Sequence, residues 1–135
     1  MTRQALLIDQ GNTRIKWVGS VGGEIDASRF GHGTPVAFEK AMGELPWWPD
    51  DVVISSVAGA DQQLAIARYC RSLWGLEAKC MSSVTEQGGV RNAYRDPSML
   101  GVDRWLAIVG AVARYGKPLV IWDMGTASTL DAVDS

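Results

Sequence analysis

The sequence predicts an α/β fold, a mixed sheet with helices packed on it, and three observations carry that prediction. Three strand-like runs follow one another at the start, joined by short glycine-containing turns. Later strand-like runs alternate with segments whose apolar residues recur at helical spacing. The 135 residues are 47% hydrophobic and 21% charged, as in ordinary globular domains, which excludes a disordered, collagenous or coiled-coil chain.

Residues 5–9 form a short apolar run, and the turn Gln10-Gly11-Asn12 leads into a second strand over Ile15–Val21, rich in β-branched and aromatic residues. Gly22-Gly23 turns the chain again, and residues 24–30 set Ile25, Ala27 and Arg29 against polar neighbours as a third strand. Thr34-Pro35 supplies an N-cap and a first-turn proline for a short helix bearing Phe38, Ala41, Met42 and Leu45, which Pro46 and Pro49 end. Residues 51–57 read as a buried strand. Asp61 is then expected to cap a helix carrying Ile66, Tyr69, Cys70, Leu73 and Trp74, with Gly75 as its stop. A strand over 76–81 and a polar loop over 82–89 follow. The next helix, Val102–Tyr115, places Trp105, Ile108, Val109, Val112 and Ala113 on one face and ends at Gly116 and Pro118. A strand over 119–123 and a return arm over 127–133 close the chain as a second hairpin.

Thirteen basic against fifteen acidic residues give a net charge of −2, without the basic excess of a nucleic-acid binder. The longest apolar stretch, residues 105–113, is far shorter than the ~20 residues that span a bilayer. An apolar run of only four residues precedes Asp9, too short for a signal-peptide core, so a cytoplasmic protein without nucleic-acid or membrane partners is expected. Cys70 and Cys80 fit neither a Cys-x-x-Cys metal pair nor a disulfide framework, and are expected to be buried free thiols.

Two segments 114 residues apart resemble each other: Ile8-Asp9-Gln10-Gly11-Asn12-Thr13 and Trp122-Asp123-Met124-Gly125-Thr126-Ala127. Each sets an acid at a strand end, followed by glycine and small hydroxyl or amide residues. Such a turn brings backbone N–H groups close to an anion while the carboxylate holds a cation, the chemistry of nucleotide phosphates. Ordinary hairpin turns use the same residues. Duplication would make the second copy the opening of a second domain, so the chain is expected to be a fragment, one lobe plus the first hairpin of another. Other motifs fail. Gly110 and Gly116-Lys117 miss the P-loop spacing, with Pro118 where Ser or Thr belongs, and His32, the only histidine, reads as a loop residue between Gly31 and Gly33.

Residues 89–105 are dense in reactive side chains and lead into a helix. Asp103 falls in its first turn, where the macrodipole favours a carboxylate for purely structural reasons, and Tyr94 could be a packing aromatic. Neither explanation accounts for this cluster occurring with both phosphate-type turns.

Taken together, these motifs resemble the type III pantothenate kinases of the actin-like, sugar-kinase-like ATPase superfamily, whose lobes are ribonuclease-H-like. Asp9-Gln10-Gly11-Asn12-Thr13-Arg14-Ile15-Lys16 is similar to that family's first phosphate motif, and Asp123-Met124-Gly125-Thr126-Ala127 to its second. The run from Tyr94 to Arg104, ending in Leu100-Gly101-Val102-Asp103-Arg104, is similar to its pantothenate motif, the most specific of the three. The resemblance implies a first ribonuclease-H-like lobe over 1–117 and the start of a second over 118–135. It implies that Asp9, Gln10, Gly11, Asn12, Thr13, Arg14, Ile15, Lys16 and Thr126 contact ATP, with Asp9 near magnesium and Asp123 on a monovalent cation, potassium or ammonium. Tyr94, Gly101, Val102, Asp103 and Arg104 would hold pantothenate, Asp103 as general base, in a homodimer. Family members are about twice as long.

Three rival functions stand against this one, the first of another class, the second a different kinase of the same superfamily, the last an interaction module. A non-catalytic regulatory accessory factor of the same fold is opposed by the intact Asp103, Lys16 and Asp123. A kinase of the superfamily acting on a sugar or acetate is opposed by the run from Tyr94 to Arg104. Trp47-Trp48 would mark an interaction module only if both rings were exposed.

Overall fold

The computed structural model describes residues 2–124 and 127–135, which fall into two compact units, Met1–Met81 and Ser82–Ser135. In the first unit, strands β1 (Gln4–Gln10), β2 (Ile15–Val21) and β3 (Glu24–Gly33) form an antiparallel meander. Helix α1 (Pro35–Gly43) leads to β4 (Asp51–Ser56), which lies parallel to β1, and helix α2 (Ala60–Trp74) leads to β5 (Lys79–Cys80), parallel to β4. The sheet order is β3-β2-β1-β4-β5. A five-stranded mixed sheet with helices is the α/β architecture expected of an actin-like ATPase lobe.

Strand alternation sorts the residues of this unit by face. Leu6 and Ile8 of β1, Ile15 and Trp17 of β2, and Val52 and Ile54 of β4 form one buried cluster with Phe38 and Met42 of α1 and Ile66 and Cys70 of α2. Burial pushes the Cys70 thiol up to about 12, which leaves it an inert apolar side chain. The Trp17 ring meets Phe38 edge-on at 5.5 Å and lies against Gly31, its partner on β3, where any Cβ would collide with the indole. Thr34 Oγ1 accepts the Ala37 N–H at 3.2 Å, and Pro35 opens α1 as its sequence indicates.

Several local expectations are corrected. Asp61 does not cap α2: Gly59, at φ 98°, starts the helix two residues earlier, and Asp61 sits in the first turn. The strand over 76–81 shrinks to Lys79–Cys80, because only Val53 and Ile54 offer it a ladder. His32 is no loop residue; β3 runs on to Gly33 and pairs His32 with Lys16. The strand expected over 24–30 runs on to Gly33 as an edge strand, and Ile25 on it is exposed. Cys80 is exposed, also on an edge strand, while Cys70 is buried as expected. Trp48 is exposed, but Trp47 packs on the core with the Arg29 guanidinium 4.5 Å above its ring, so the pair is no shared patch.

In the second unit the segment expected to be a polar loop contains half of a small hairpin, β6 (Glu86–Gln87) with β7 (Val90–Arg91). A 3₁₀ turn (Pro97–Met99) precedes helix α3 (Val102–Tyr115), and β8 (Leu119–Met124) pairs antiparallel with β9 (Ser128–Val133). The periodicity of α3 holds: Trp105, Ile108 and Val112 are buried with Val90 and Leu100, while Leu119, Ile121 and Val133 pack on this cluster. Trp105 is its largest member, 1% exposed, and its indole N–H donates to Gln87 Oε1 at 3.1 Å. Trp105→Ala should therefore destabilise the fold by ~3–5 kcal/mol, from lost burial plus the cavity left behind. Urea unfolding followed by circular dichroism measures this, and a loss under ~1 kcal/mol would contradict the packing described. No helix among the described residues is long and apolar enough to cross a membrane.

Candidate functional site

The first group of site residues surrounds the β1–β2 turn. Gly11 N–H donates to Arg14 O at 2.9 Å, closing the turn that presents Asn12, Thr13 and Arg14 to solvent. Register places Asp9 opposite Lys16 on β2 and opposite Ser55 on β4, with His32 beyond Lys16 on β3. These four side chains share the sheet face opposite the α1 and α2 core, because Asp9, Lys16 and Ser55 alternate with core residues and His32 is paired directly with Lys16. Ser55 Oγ is buried without a hydrogen-bond partner among the described residues. Arg14 Nη2 donates to His32 Nδ1 at 3.1 Å, tying the turn to β3.

Two residues of the phosphate motif serve the fold through their side chains. Ile15 is in the core, and Gln10, 2% exposed, accepts from Ser56 Oγ at 2.8 Å and donates to the Gln62 carbonyl at 3.3 Å. Gln10 O also accepts the Val57 N–H at 3.0 Å, so the ends of β1 and β4 are locked together. Gln10 and Ile15 are also paired through their backbones with strands on both sides, so both residues serve the sheet.

The second group lies in the second unit. Asn92 is buried, and it organises the loop: its Oδ1 accepts the Tyr94 N–H at 3.0 Å, and its own N–H donates to Thr85 O at 2.8 Å. Asp96 then accepts from Ser98 N and Oγ, which starts the 3₁₀ turn. Gly101 is the N-cap of α3 and makes no side-chain cap. Val102 is buried, and so contributes to a ligand only through its backbone. Asp103 is exposed in the first turn, its Oδ1 accepting the Arg104 N–H at 2.8 Å.

Arg104 makes the strongest polar contact of this unit. Its Nε and Nη2 donate to the two carboxylate oxygens of Asp131 on β9, at 3.1 and 2.5 Å. The guanidinium is held protonated more firmly than usual, first by the Asp131 hydrogen bond and more weakly by the Tyr94 hydroxyl, against the opposing effect of burial. Tyr94 and Asp131 both line a cavity of about 600 Å³, together with Asn92, Trp105, Ile108 and Lys117. Neither Asn92 nor Asp131 is evident from the motif alone. The signal for Asp131 was the alternation of the return arm, where an acid stands in the inward set with Thr129 and Val133.

Asp123 is exposed near the end of β8, opposite Thr129. Thr126 and Gly125 of the second phosphate motif lie outside the described residues. Among the described residues no three His, Cys, Asp or Glu side chains gather to hold a metal. Magnesium is usually held by one or two carboxylates plus substrate phosphates, and the carboxylate of the first motif is Asp9. A monovalent cation takes oxygen donors of the kind Asp123 and Thr129 offer.

The family model described as type III pantothenate kinase matches residues 5–135. Curated relatives carrying that name include one from Paraburkholderia phymatum, 37% identical over 148 residues, and one from Burkholderia cenocepacia, 39% identical over 137 residues. Another, from Aromatoleum aromaticum, is 39% identical over 130 residues. The alignments cover 98%, 98% and 95% of the chain but 50%, 51% and 52% of those relatives, so the chain spans about half their length.

Proposed function

This chain belongs to the type III pantothenate kinase family, and on that premise we propose that the complete protein transfers the γ-phosphoryl group of ATP to the primary hydroxyl of pantothenate. The product is 4′-phosphopantothenate, and the reaction opens coenzyme A biosynthesis. The observation that carries the proposal is the cluster of Tyr94, Asp103 and Arg104 at the start of α3, since this motif separates pantothenate kinases from the sugar and acetate kinases of the superfamily.

Phosphoryl transfer asks the protein for positioning and charge neutralisation more than for covalent chemistry. The turn residues Asn12, Thr13 and Arg14, which lie between the paired strands, would turn main-chain N–H donors to the phosphates, and Lys16 adds a positive charge on the exposed sheet face. Asp9 would hold magnesium, which would neutralise the charge that spreads over the transferring group. Thr126 would contact ATP, and Asp123 would hold potassium or ammonium. Tyr94, Gly101, Val102 and Arg104 bind pantothenate, the arginine pairing with a carboxylate. Asp103 accepts the hydroxyl proton as the substrate oxygen bonds to the γ-phosphorus and ADP leaves. The division into a lobe over 1–117 and a second lobe beginning at 118, the homodimer and the cytoplasmic location belong to the same proposal. The lobe division is supported by relatives about twice the length of this chain.

The test is the complete protein with ATP, magnesium and potassium, offered pantothenate, a sugar panel and acetate, with products identified by mass spectrometry. Phosphopantothenate is expected. Phosphorylation of a sugar or of acetate and not of pantothenate would overturn the proposal.

A further inference from the structure

Arg104 and Asp131 are 27 residues apart in sequence, and their pairing is a product of the fold. Asp131 stands in the inward set of β9, its side chain 14% exposed, with an apolar neighbour on that face in Val133. A carboxylate this enclosed requires a partner, and the one it has is a guanidinium 31% exposed. The contact is two-point and side-on, through Nε and Nη2. A guanidinium carries five N–H donors in a rigid planar fork, so engaging the Nε edge leaves the Nη1 edge for a second acceptor in a fixed plane. Tyr94 also acts on Arg104, and it borders the same cavity as Asp131.

Resting on the reading of this site as one for pantothenate, we propose that Asp131 is a positioning residue that holds the Arg104 guanidinium side-on, so that its opposite edge selects the substrate's carboxylate. In this reading Asp131, which itself borders the cavity, acts through Arg104 rather than on the substrate. It acts by removing rotamer freedom from a long side chain that would otherwise be ordered only when the acid binds, a saving that appears in substrate affinity and selectivity rather than in the chemical step. Neutral analogues that lack the carboxylate gain nothing from the arrangement.

The experiment uses the complete protein, unsubstituted and as Asp131→Asn and Asp131→Glu. Steady-state kinetics are measured with pantothenate and with the analogue bearing a primary alcohol in place of the carboxylate. Asp131→Asn is expected to raise KM for pantothenate ~10-fold, with kcat and KM for ATP within about threefold, because one charge-assisted contact is lost while shape is kept. Its kcat/KM for the alcohol analogue should stay unchanged, so the preference for the acid shrinks ~10-fold, and Asp131→Glu, which restores a carboxylate, should recover part of it. Equal losses on acid and alcohol would overturn the proposal and make Asp131 a purely structural partner; so would an unchanged preference in Asp131→Asn. No phosphopantothenate from the unsubstituted protein is a different result, since it removes the pantothenate reading itself.

Discussion

Asp103→Asn in the complete protein is expected to lower kcat by ~10²-fold or more while KM for ATP stays close to that of the unsubstituted protein. Two roles compete for this residue, and the substitution separates them. As a helix-terminal acid, Asp103 interacts with the α3 dipole and accepts the Arg104 N–H, contributions worth ~0.3–1 kcal/mol at an exposed site. Asn keeps an oxygen acceptor of the same shape, so the loss in stability should be small. As general base, Asp103 must take a proton in the transition state, which an amide cannot do. The measurement is steady-state kinetics alongside thermal unfolding. A kcat within a fewfold of the unsubstituted protein would return Asp103 to the helix-terminal role.

The second large effect is expected of the 135-residue chain assayed by itself, which should produce no phosphopantothenate above background. The chain spans about half the length of its relatives, and the proposed second lobe that would complete the nucleotide site begins only at residue 118. The hairpin of β8 and β9 also carries an apolar face, with Val120, Trp122, Met124 and Leu130 each more than 60% exposed. A patch of this kind on a strand pair tends to associate, so the isolated chain should form dimers or larger species through two such faces. Sedimentation velocity checks the association, and Trp122→Lys should reduce it. Pantothenate-dependent ATP turnover by a purified chain shown by mass to end at Ser135 would overturn the two-lobe argument.

How much was legible in the sequence differs from element to element. β2 and α3 were placed at both ends and α1 at its start, because alternation, a Thr-Pro cap and a four-turn apolar stripe are all local signals, while α1 stops at Gly43, short of Leu45. Asp61 misled because a glycine at positive φ started α2 without any side-chain cap. β6 and β7 were missed because strands of two residues have no period to detect. β5 was overextended because its length depends on how much of β4 is free to pair. Cys80 was expected to be buried and is exposed, since its strand lies at an edge of the sheet.

By itself, then, the sequence determined the α/β class, the order of the main elements and the three motifs that place the chain in its family, all of which rest on neighbours within a few positions. The tertiary structure decided what those motifs' side chains are available to do. It turned Ile15, Gln10 and Val102 inward, set Asp9 opposite Lys16 on the exposed sheet face, fixed Tyr94 through Asn92, and supplied Arg104 with Asp131 from a strand 27 residues away. Strand register and helix packing set such pairings, and no local propensity encodes a distance between residues that far apart.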